Sequence, residues 1–379
     1  MENTDFIYVK SVFFAYAKIN LTLNVTGKRP DGYHELESIM QAVSLRDDVT
    51  VILRPEGNTG NGSGSGTGSG ARRSAGERES GWHIRVSVST EDAFIAGQSI
   101  PEDRQNTVYK AAEEFIARQA PGNYSVDIRI DKRIPAAAGL GGGSADAAAA
   151  LLALNDAAAS ALRKINDASD GLQTNGAAYG VRPLTEDELL EAALRVGADV
   201  PFCMLYGARR ADEDIPAQPA QPTAGAATGA AYARGVGEML MKLSRPPPIF
   251  RVALVNPRIE ISTTQVYKDF QIPSDAEIDY LSKLTHTMIE SHSGAWNRCF
   301  NVLERGVAKN RPQIGQIKSA LLDAGALCAV MSGSGPTVFG LFGDTGGGCD
   351  GGDCDDGGAF AAAALLRARG YWTAVCAFI

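Results

Sequence analysis

The residues able to do chemistry lie in short stretches far apart along the chain. Pro135-Ala136-Ala137-Ala138-Gly139-Leu140-Gly141-Gly142-Gly143-Ser144 sets a glycine cluster before an alanine- and leucine-rich run with no helix breaker until Asn155. That order predicts a loop feeding the first turn of a helix. Such a turn has unpaired backbone N–H groups and a partial positive charge. Glycines remove the side chains that would hold an anion away, and phosphate is the natural occupant. A plain turn before a core helix would carry the same residues. There is neither GxxxxGK[ST] nor GxGxxG with an acidic residue about 20 positions on, so neither a Walker loop nor a dinucleotide site is indicated. Asp199 follows a helix in Gly197-Ala198-Asp199-Val200-Pro201-Phe202; an Asp at such a place is commonly a solvated turn residue, but its apolar flanks argue for a buried, constrained carboxylate. Lys18 and Asn20 share one side of an alternating segment. Tyr33 and His34 follow Pro30-Asp31-Gly32, a tight-turn sequence. There they are either surface decoration or a stacking ring beside a hydrogen-bonding edge.

The elements that must position these residues follow from periodicity. Residues 13–25 alternate, with Ala17, Ile19, Leu21, Leu23 and Val25 on one face. Lys18, Asn20, Thr22 and Asn24 fall on the other, which is expected to be solvated. Asn106 caps a helix running to Arg118, and Ser125–Ile130 is a strand. Residues 156–183 are loose and rich in Ala, Ser and Asn. Thr185-Glu186-Asp187-Glu188 is a capping box that opens a helix through Val196, closed by Gly197. Further strands are expected at Phe250–Asn256, Ala326–Met331, Thr337–Phe342 and Tyr371–Phe378, with a helix at Phe360–Arg369. Ser332-Gly333-Ser334-Gly335-Pro336 forms a turn between two of these strands. Residues 56–80, 209–230 and 343–358 are low in complexity and are read as insertions. The strands flanking the first, Val49–Arg54 and His83–Ser89, are expected to pair.

Composition excludes several classes. The chain has 379 residues, 44% apolar and 21% charged, enough for two domains. Its 36 basic and 44 acidic side chains give a net charge of −8, which disfavours nucleic acid as a partner. No apolar run is read as approaching the 18 or more residues of a membrane span, and the N-terminus makes a poor signal peptide. A cytoplasmic protein without a membrane partner is expected. Cys203, Cys299, Cys328, Cys349, Cys354 and Cys376 do not form a disulfide framework in a chain this large. The Cys349/Cys354 spacing is not that of zinc.

Taken together, these stretches resemble the GHMP kinases, which phosphorylate small-molecule hydroxyls. The resemblance rests on Pro135–Ala145, Gly197–Phe202 and Met331–Phe339, with Ala17–Leu21 and Gly27–Leu36 toward the N-terminus. The Asp31-Gly32-Tyr33-His34 element is similar to the branch that acts on a cytidyl-linked alcohol of the non-mevalonate isoprenoid route. It is not that of homoserine or mevalonate kinases.

The resemblance implies an α+β, two-domain GHMP kinase fold. Residues 1–208 would form a ribosomal-protein-S5-like ATP domain, and residues 231–379 a ferredoxin-like α+β domain on the substrate side. It implies ATP and Mg²⁺ as cofactors and a small-molecule cytidyl substrate, and leaves the oligomeric state open. By resemblance Asp199 is the catalytic base and Lys18 balances charge. Pro135, Gly139, Leu140, Gly141, Gly142, Gly143 and Ser144, with Asn106 and Lys132, serve ATP. Asn20, Tyr33, His34, Thr263 and Tyr267 serve the substrate. Ala145 stands where many relatives have a second Ser, which leaves Ser144 alone for any hydroxyl contact with Mg²⁺. Another GHMP kinase, homoserine kinase-like, or a non-catalytic nucleotide-binding relative would share the glycine loop.

Overall fold

The computed structural model describes residues 9–55, 81–120, 122, 124–168, 181–211, 229–243, 247, 250–290, 296–343 and 357–379. Most of each expected insertion, together with Cys349 and Cys354, lies outside the described residues.

Two long strands, β1 (Val9–Lys28) and β2 (His34–Pro55), pair antiparallel through the hairpin turn at Pro30–Gly32. They run together along almost their whole length, and the outer edge of each is shared among shorter strands. The second half of β2 pairs with β4 (Tyr124–Asp131), and its first half with β6 (Ala230–Gly235). β1 takes β5 (Ala208–Arg210) near its start and the short β9 (Phe300–Asn301) further along. β3 (Trp82–Ser89) lies parallel to β4, and β7 (Met239–Lys242) pairs with β6. β2 and β3, expected to pair, are separated by β4. Adjacency in sequence across residues 56–80 is no guide to adjacency in a sheet when a later strand carries the better complementary edge.

One face of this sheet is covered by α2 (Thr107–Ile116), α3 (Gly142–Ala168) and α4 (Glu186–Val196) around a core that includes Phe115, Leu151, Leu154 and Phe202. α3 does not end near Asn155. Ala157, Ala158 and Ala161 are buried, so the small residues read as loose continue the packed helix. Asn155 instead bridges to Leu184, accepting its N–H at 2.5 Å. The stretch Gly142–Lys164 is long and apolar enough to cross a bilayer, contrary to the sequence reading, because alanine counts as apolar. However, 67% of its most apolar window is buried inside the protein, as in a core helix.

A second sheet is built from β8 (Phe250–Asn256), β10 (Cys328–Met331), β11 (Val338–Gly343) and β12 (Trp372–Ala377). Its order is β10-β11-β8-β12, with every neighbouring pair antiparallel. Counted within this half, that is the ferredoxin-like order. Its helices are α6 (Thr263–Asp269), α7 (Asp275–Glu290), α8 (Glu304–Asn310), α9 (Pro312–Asp323) and α10 (Gly357–Ala368). The sheets do not divide at residue 231. β6 and β7 belong to the first sheet, and Asn301 of the second half reaches β1. Apolar side chains of β1, β2 and the second sheet share one core, with Ile19, Leu21, Ile39, Leu254 and Phe339.

Candidate active site

The cleft chemistry is set by which side of β1 is covered. Lys18, Asn20, Thr22 and Asn24 are all buried, contrary to the solvated face expected of them. The glycine loop lies against Lys18 and the Gly333 turn against Asn20, so alternation separated the faces correctly but not water from protein. Buried polar groups must then be paired. Lys18 Nζ donates to Asn20 Oδ1 at 2.9 Å, and Asn20 Nδ2 donates to Ser38 Oγ at 2.9 Å. Ser38 Oγ donates to Thr22 O at 2.5 Å, which fixes the row.

Asp199 completes this row. Its Oδ2 lies 3.0 Å from Lys18 Nζ, with the Lys18 side chain 6% exposed and that of Asp199 34% exposed. The carboxylate is therefore open to the cleft rather than buried. The apolar flanks that predicted burial do a different job. Val200, Pro201 and Phe202 form the buried turn α5 (Val200–Phe202) and anchor a side chain that points out of it. A π-helical turn, Cys203–Gly207, continues to β5. On the far side is the β6–β7 turn, where a Cβ on Gly237 would stand 3.7 Å from Asp199 Oδ1.

The glycine loop runs past the same lysine. Lys18 N–H donates to Leu140 O at 2.9 Å. α3 begins at Gly142, and its first intrahelical bond is Ala145 N–H to Gly141 O at 2.8 Å. By helix geometry the amides of Gly142, Gly143 and Ser144 then lack intrahelical acceptors. The glycines have a second reason besides anion access. A Cβ on Gly139 would stand 2.2 Å from Ser332 O, and one on Gly141 2.9 Å from Lys18 Cγ. Both have positive φ, +76° and +69°. On Gly142 a Cβ would face Ile134 Cγ2 at 3.0 Å and Lys132 Nζ at 3.2 Å, inward rather than toward an anion.

The Ser332–Pro336 turn docks onto this loop. Ser332 Oγ donates to Gly139 O at 2.8 Å, and Thr337 N–H to Ala138 O at 3.3 Å. Asn301 holds that turn, with Nδ2 donating to both Met331 O and Gly333 O at 2.7 Å. Glu304 accepts Met331 N–H at 2.8 Å.

Lys132 is 3% exposed, bound to Asp47 Oδ2 at 2.6 Å and Asp146 Oδ2 at 2.7 Å. Burial alone would lower its pKa, but Asp146 and Asp47 outweigh it and hold the ammonium charged. Burial, with Asp47 alongside, raises the Asp146 carboxyl despite Lys132. Asp47 Oδ1 also accepts the N–H groups of Arg133 and Ile134, at 2.5 and 2.8 Å. Lys132 thus sits under the helix start, already engaged by two carboxylates. Asn106 uses both ends of its amide within the protein, accepting Val108 N–H at 3.0 Å and donating to Pro101 O at 2.6 Å. That is the cap geometry.

The residues expected to serve the substrate separate. His34 and Tyr267 stack at 5.2 Å between centroids with a 32° tilt, and Phe270 meets His34 edge-on. Burial and the charge of Lys28 lower the His34 pKa, which favours the neutral ring. Burial, then the charge of Asp199, raises the Tyr267 hydroxyl. Tyr33 is 64% exposed. Thr263 Oγ1 lies 2.8 Å from Ser334 Oγ, tying α6 to the glycine turn. Sequence reasoning missed Ser38, Asp47, Asp146 and Gly237. For Ser38 and Asp146 the available signal was a hydroxyl or an acid set among apolar neighbours; Asp47 and Gly237 carried none.

A glycine-lined helix start beside a Lys–Asp pair, on an S5-like sheet joined to a ferredoxin-like one, defines a small-molecule phosphotransferase. Two family models agree. The GHMP kinases N terminal domain matches residues 106–207, and GHMP kinases C terminal matches residues 287–347. The chain is 36% identical to the 4-diphosphocytidyl-2-C-methyl-D-erythritol kinase of Pelotomaculum thermopropionicum, covering 87% of this chain and 88% of that one. It is 33% identical to the kinase of the same name from Syntrophotalea carbinolica, over 96% of each chain. A crystal structure of 4-(cytidine 5'-diphospho)-2C-methyl-D-erythritol kinase aligns at a TM-score of 0.55 and 27% identity, covering 97% of this chain and 99% of that one. Homoserine kinase from Cytophaga hutchinsonii shares the fold at a TM-score of 0.58 and 17% identity, covering 100% of this chain and 96% of that one. The chain belongs to the 4-diphosphocytidyl-2-C-methyl-D-erythritol kinase family of the GHMP kinases.

Proposed function

We infer that this chain transfers the γ-phosphoryl group of ATP to the 2-hydroxyl of 4-diphosphocytidyl-2-C-methyl-D-erythritol, giving its 2-phosphate and ADP. The observation that carries the reading is the 3.0 Å Lys18–Asp199 pair beside the glycine loop that Lys18 N–H itself touches. In this reading the Gly139–Ser144 backbone holds the phosphates at the start of α3. Asp199 accepts the proton of the substrate hydroxyl as its oxygen bonds to phosphorus and the bond to the ADP oxygen breaks. Lys18 balances the charge at the reacting centre and orients Asp199. Phosphoryl transfer asks mainly for such positioning and electrostatics.

Among the described residues no group of three or more His, Cys, Asp or Glu side chains could hold a metal. Few protein ligands fit Mg²⁺, which keeps waters and binds through phosphates with one or two side chains. The Ser144 hydroxyl, a hard oxygen in the first turn of α3, would hold it. When bound, the ion neutralises phosphate charge. Tyr267 and Tyr33 would stack on the cytosine, with His34 at its edge and Asn20 and Thr263 toward the rest of the substrate.

The test is ADP release by purified protein with ATP, Mg²⁺ and the cytidyl alcohol, with the product identified by phosphorus NMR. A 2-phosphate is expected. No turnover, or equal use of homoserine, overturns the reading.

A further inference from the structure

The entry to the phosphate loop contains a conformation its sequence does not favour. Ala137 has φ +49°, and among the described residues Arg258 is the only other non-glycine with positive φ. A left-handed alanine crowds its own Cβ against the backbone, so something must hold it there. Its neighbour Ala136 is held at both backbone groups by one side chain. Ala136 N–H donates to Gln98 Oε1 at 2.9 Å, and Gln98 Nε2 donates to Ala136 O at 3.3 Å. We propose that Gln98 is a positioning residue for the phosphate loop, its amide clamping Ala136 so that Ala137 turns the chain into the Gly139–Ser144 cradle. The proposal rests on reading that cradle as the ATP phosphate site.

The clamp is itself anchored. Gln98 N–H donates to Ile95 O at 2.9 Å, closing the end of α1 (Ala93–Ala96), where Ile95 is buried. Asp92 caps α1, accepting Phe94 N–H at 2.8 Å and Ile95 N–H at 3.2 Å. Its other oxygen accepts Trp372 Nε1–H from β12 at 3.0 Å. The Arg258 guanidinium, just beyond β8, lies 5.1 Å from the centre of the Phe94 ring. The second sheet therefore grips the loop from outside through α1 and Gln98, in addition to the direct Ser332 contact at Gly139.

Three variants test this: Gln98→Ala, Gln98→Glu, which keeps the acceptor but loses the donor, and Gln98→Ala combined with Ala137→Gly. With ATP·Mg²⁺ varied, Gln98→Ala is expected to lose roughly tenfold in kcat/KM for ATP, with KM for the cytidyl alcohol unchanged. Gln98→Glu should lose at least as much, because its second carboxylate oxygen would face the Ala136 carbonyl. The double variant should recover most of the loss, because glycine takes a left-handed φ without steric cost. A merely structural role would lower Tm, and glycine would not restore it. Unchanged kcat/KM for ATP in Gln98→Ala, or a loss that glycine leaves in place, overturns the proposal while the phosphate-loop reading stands. Failure of the parent protein to bind ATP overturns both.

Discussion

Asp199 and Lys18 act as one unit, because the lysine is buried and the carboxylate is its partner on the cleft side. Asp199→Asn keeps size and shape but removes the proton acceptor. We expect kcat to fall by about 10²-fold or more, the scale of a general base, with ATP affinity nearly unchanged. Steady-state kinetics and a nucleotide-binding titration check it, and near-normal turnover would remove Asp199 from the chemistry. Tyr267 is packed on His34 from the second half of the chain. Base–aromatic stacking contributes about 1–3 kcal/mol, so Tyr267→Ala should raise KM for the cytidyl substrate by about 5- to 150-fold. KM for ATP should hold. Tyr33→Ala should do the same if its exposed ring closes on the base; an unchanged KM would assign the stacking to Tyr267 alone.

At the scale of elements, the Gly139–Ser144 loop is a junction, bound to the Ser332–Pro336 turn of the second sheet. Gly139→Ala would drive a Cβ into Ser332 O at 2.2 Å, so both Tm and ATP affinity should fall as the turn lifts away. Gly142→Val acts from beneath, against Ile134 and Lys132. It should cost stability first, with loss of ATP binding following from a displaced helix start rather than a filled anion site. Thermal unfolding measured beside ATP titration separates the two. The start of α4 carries a pH signature. Arg182 holds the Glu188 carboxyl down to about 2, helped by the backbone N–H of Thr185. A folded pKa below the unfolded one gives stability that is present above the ordinary Glu range and lost as pH falls through about 2. Glu188→Gln should lower Tm slightly at pH 7, with the difference shrinking as pH falls toward 2 and vanishing below it. The effect is small because the pair is exposed.

At the scale of the whole molecule, the sheet decides what the first low-complexity segment must span. Pro55 and Trp82 both register with Tyr124, one on either side. Their strands are therefore about 10 Å apart, two strand spacings. Deleting residues 57–76 leaves six linking residues, with a reach of roughly 20 Å. The deletion should fold and keep kcat/KM within a few-fold; a large loss would mean that the segment takes part in the site. What could be read from the sequence was local. The Thr185–Glu188 capping box, the Asn106 cap, the alternation of β1 and the glycine loop before an alanine-rich helix all declare themselves within a few residues. Backbone geometry and hydrogen bonding act over that range. What lay beyond it came from long-range contact. Alternation put Lys18 and Asn20 on one face, but only the layer above decided that this face is dry. Apolar flanks marked Asp199 as fixed, but only the packing of Val200–Phe202 turned its carboxylate outward. No local pattern announced that Asp47 and Asp146 would close on Lys132, that β4 would come between β2 and β3, or that Gln98 would reach Ala136. These contacts join residues from 14 to 85 positions apart, and burial and hydrogen-bond pairing select them only once the chain has closed on itself.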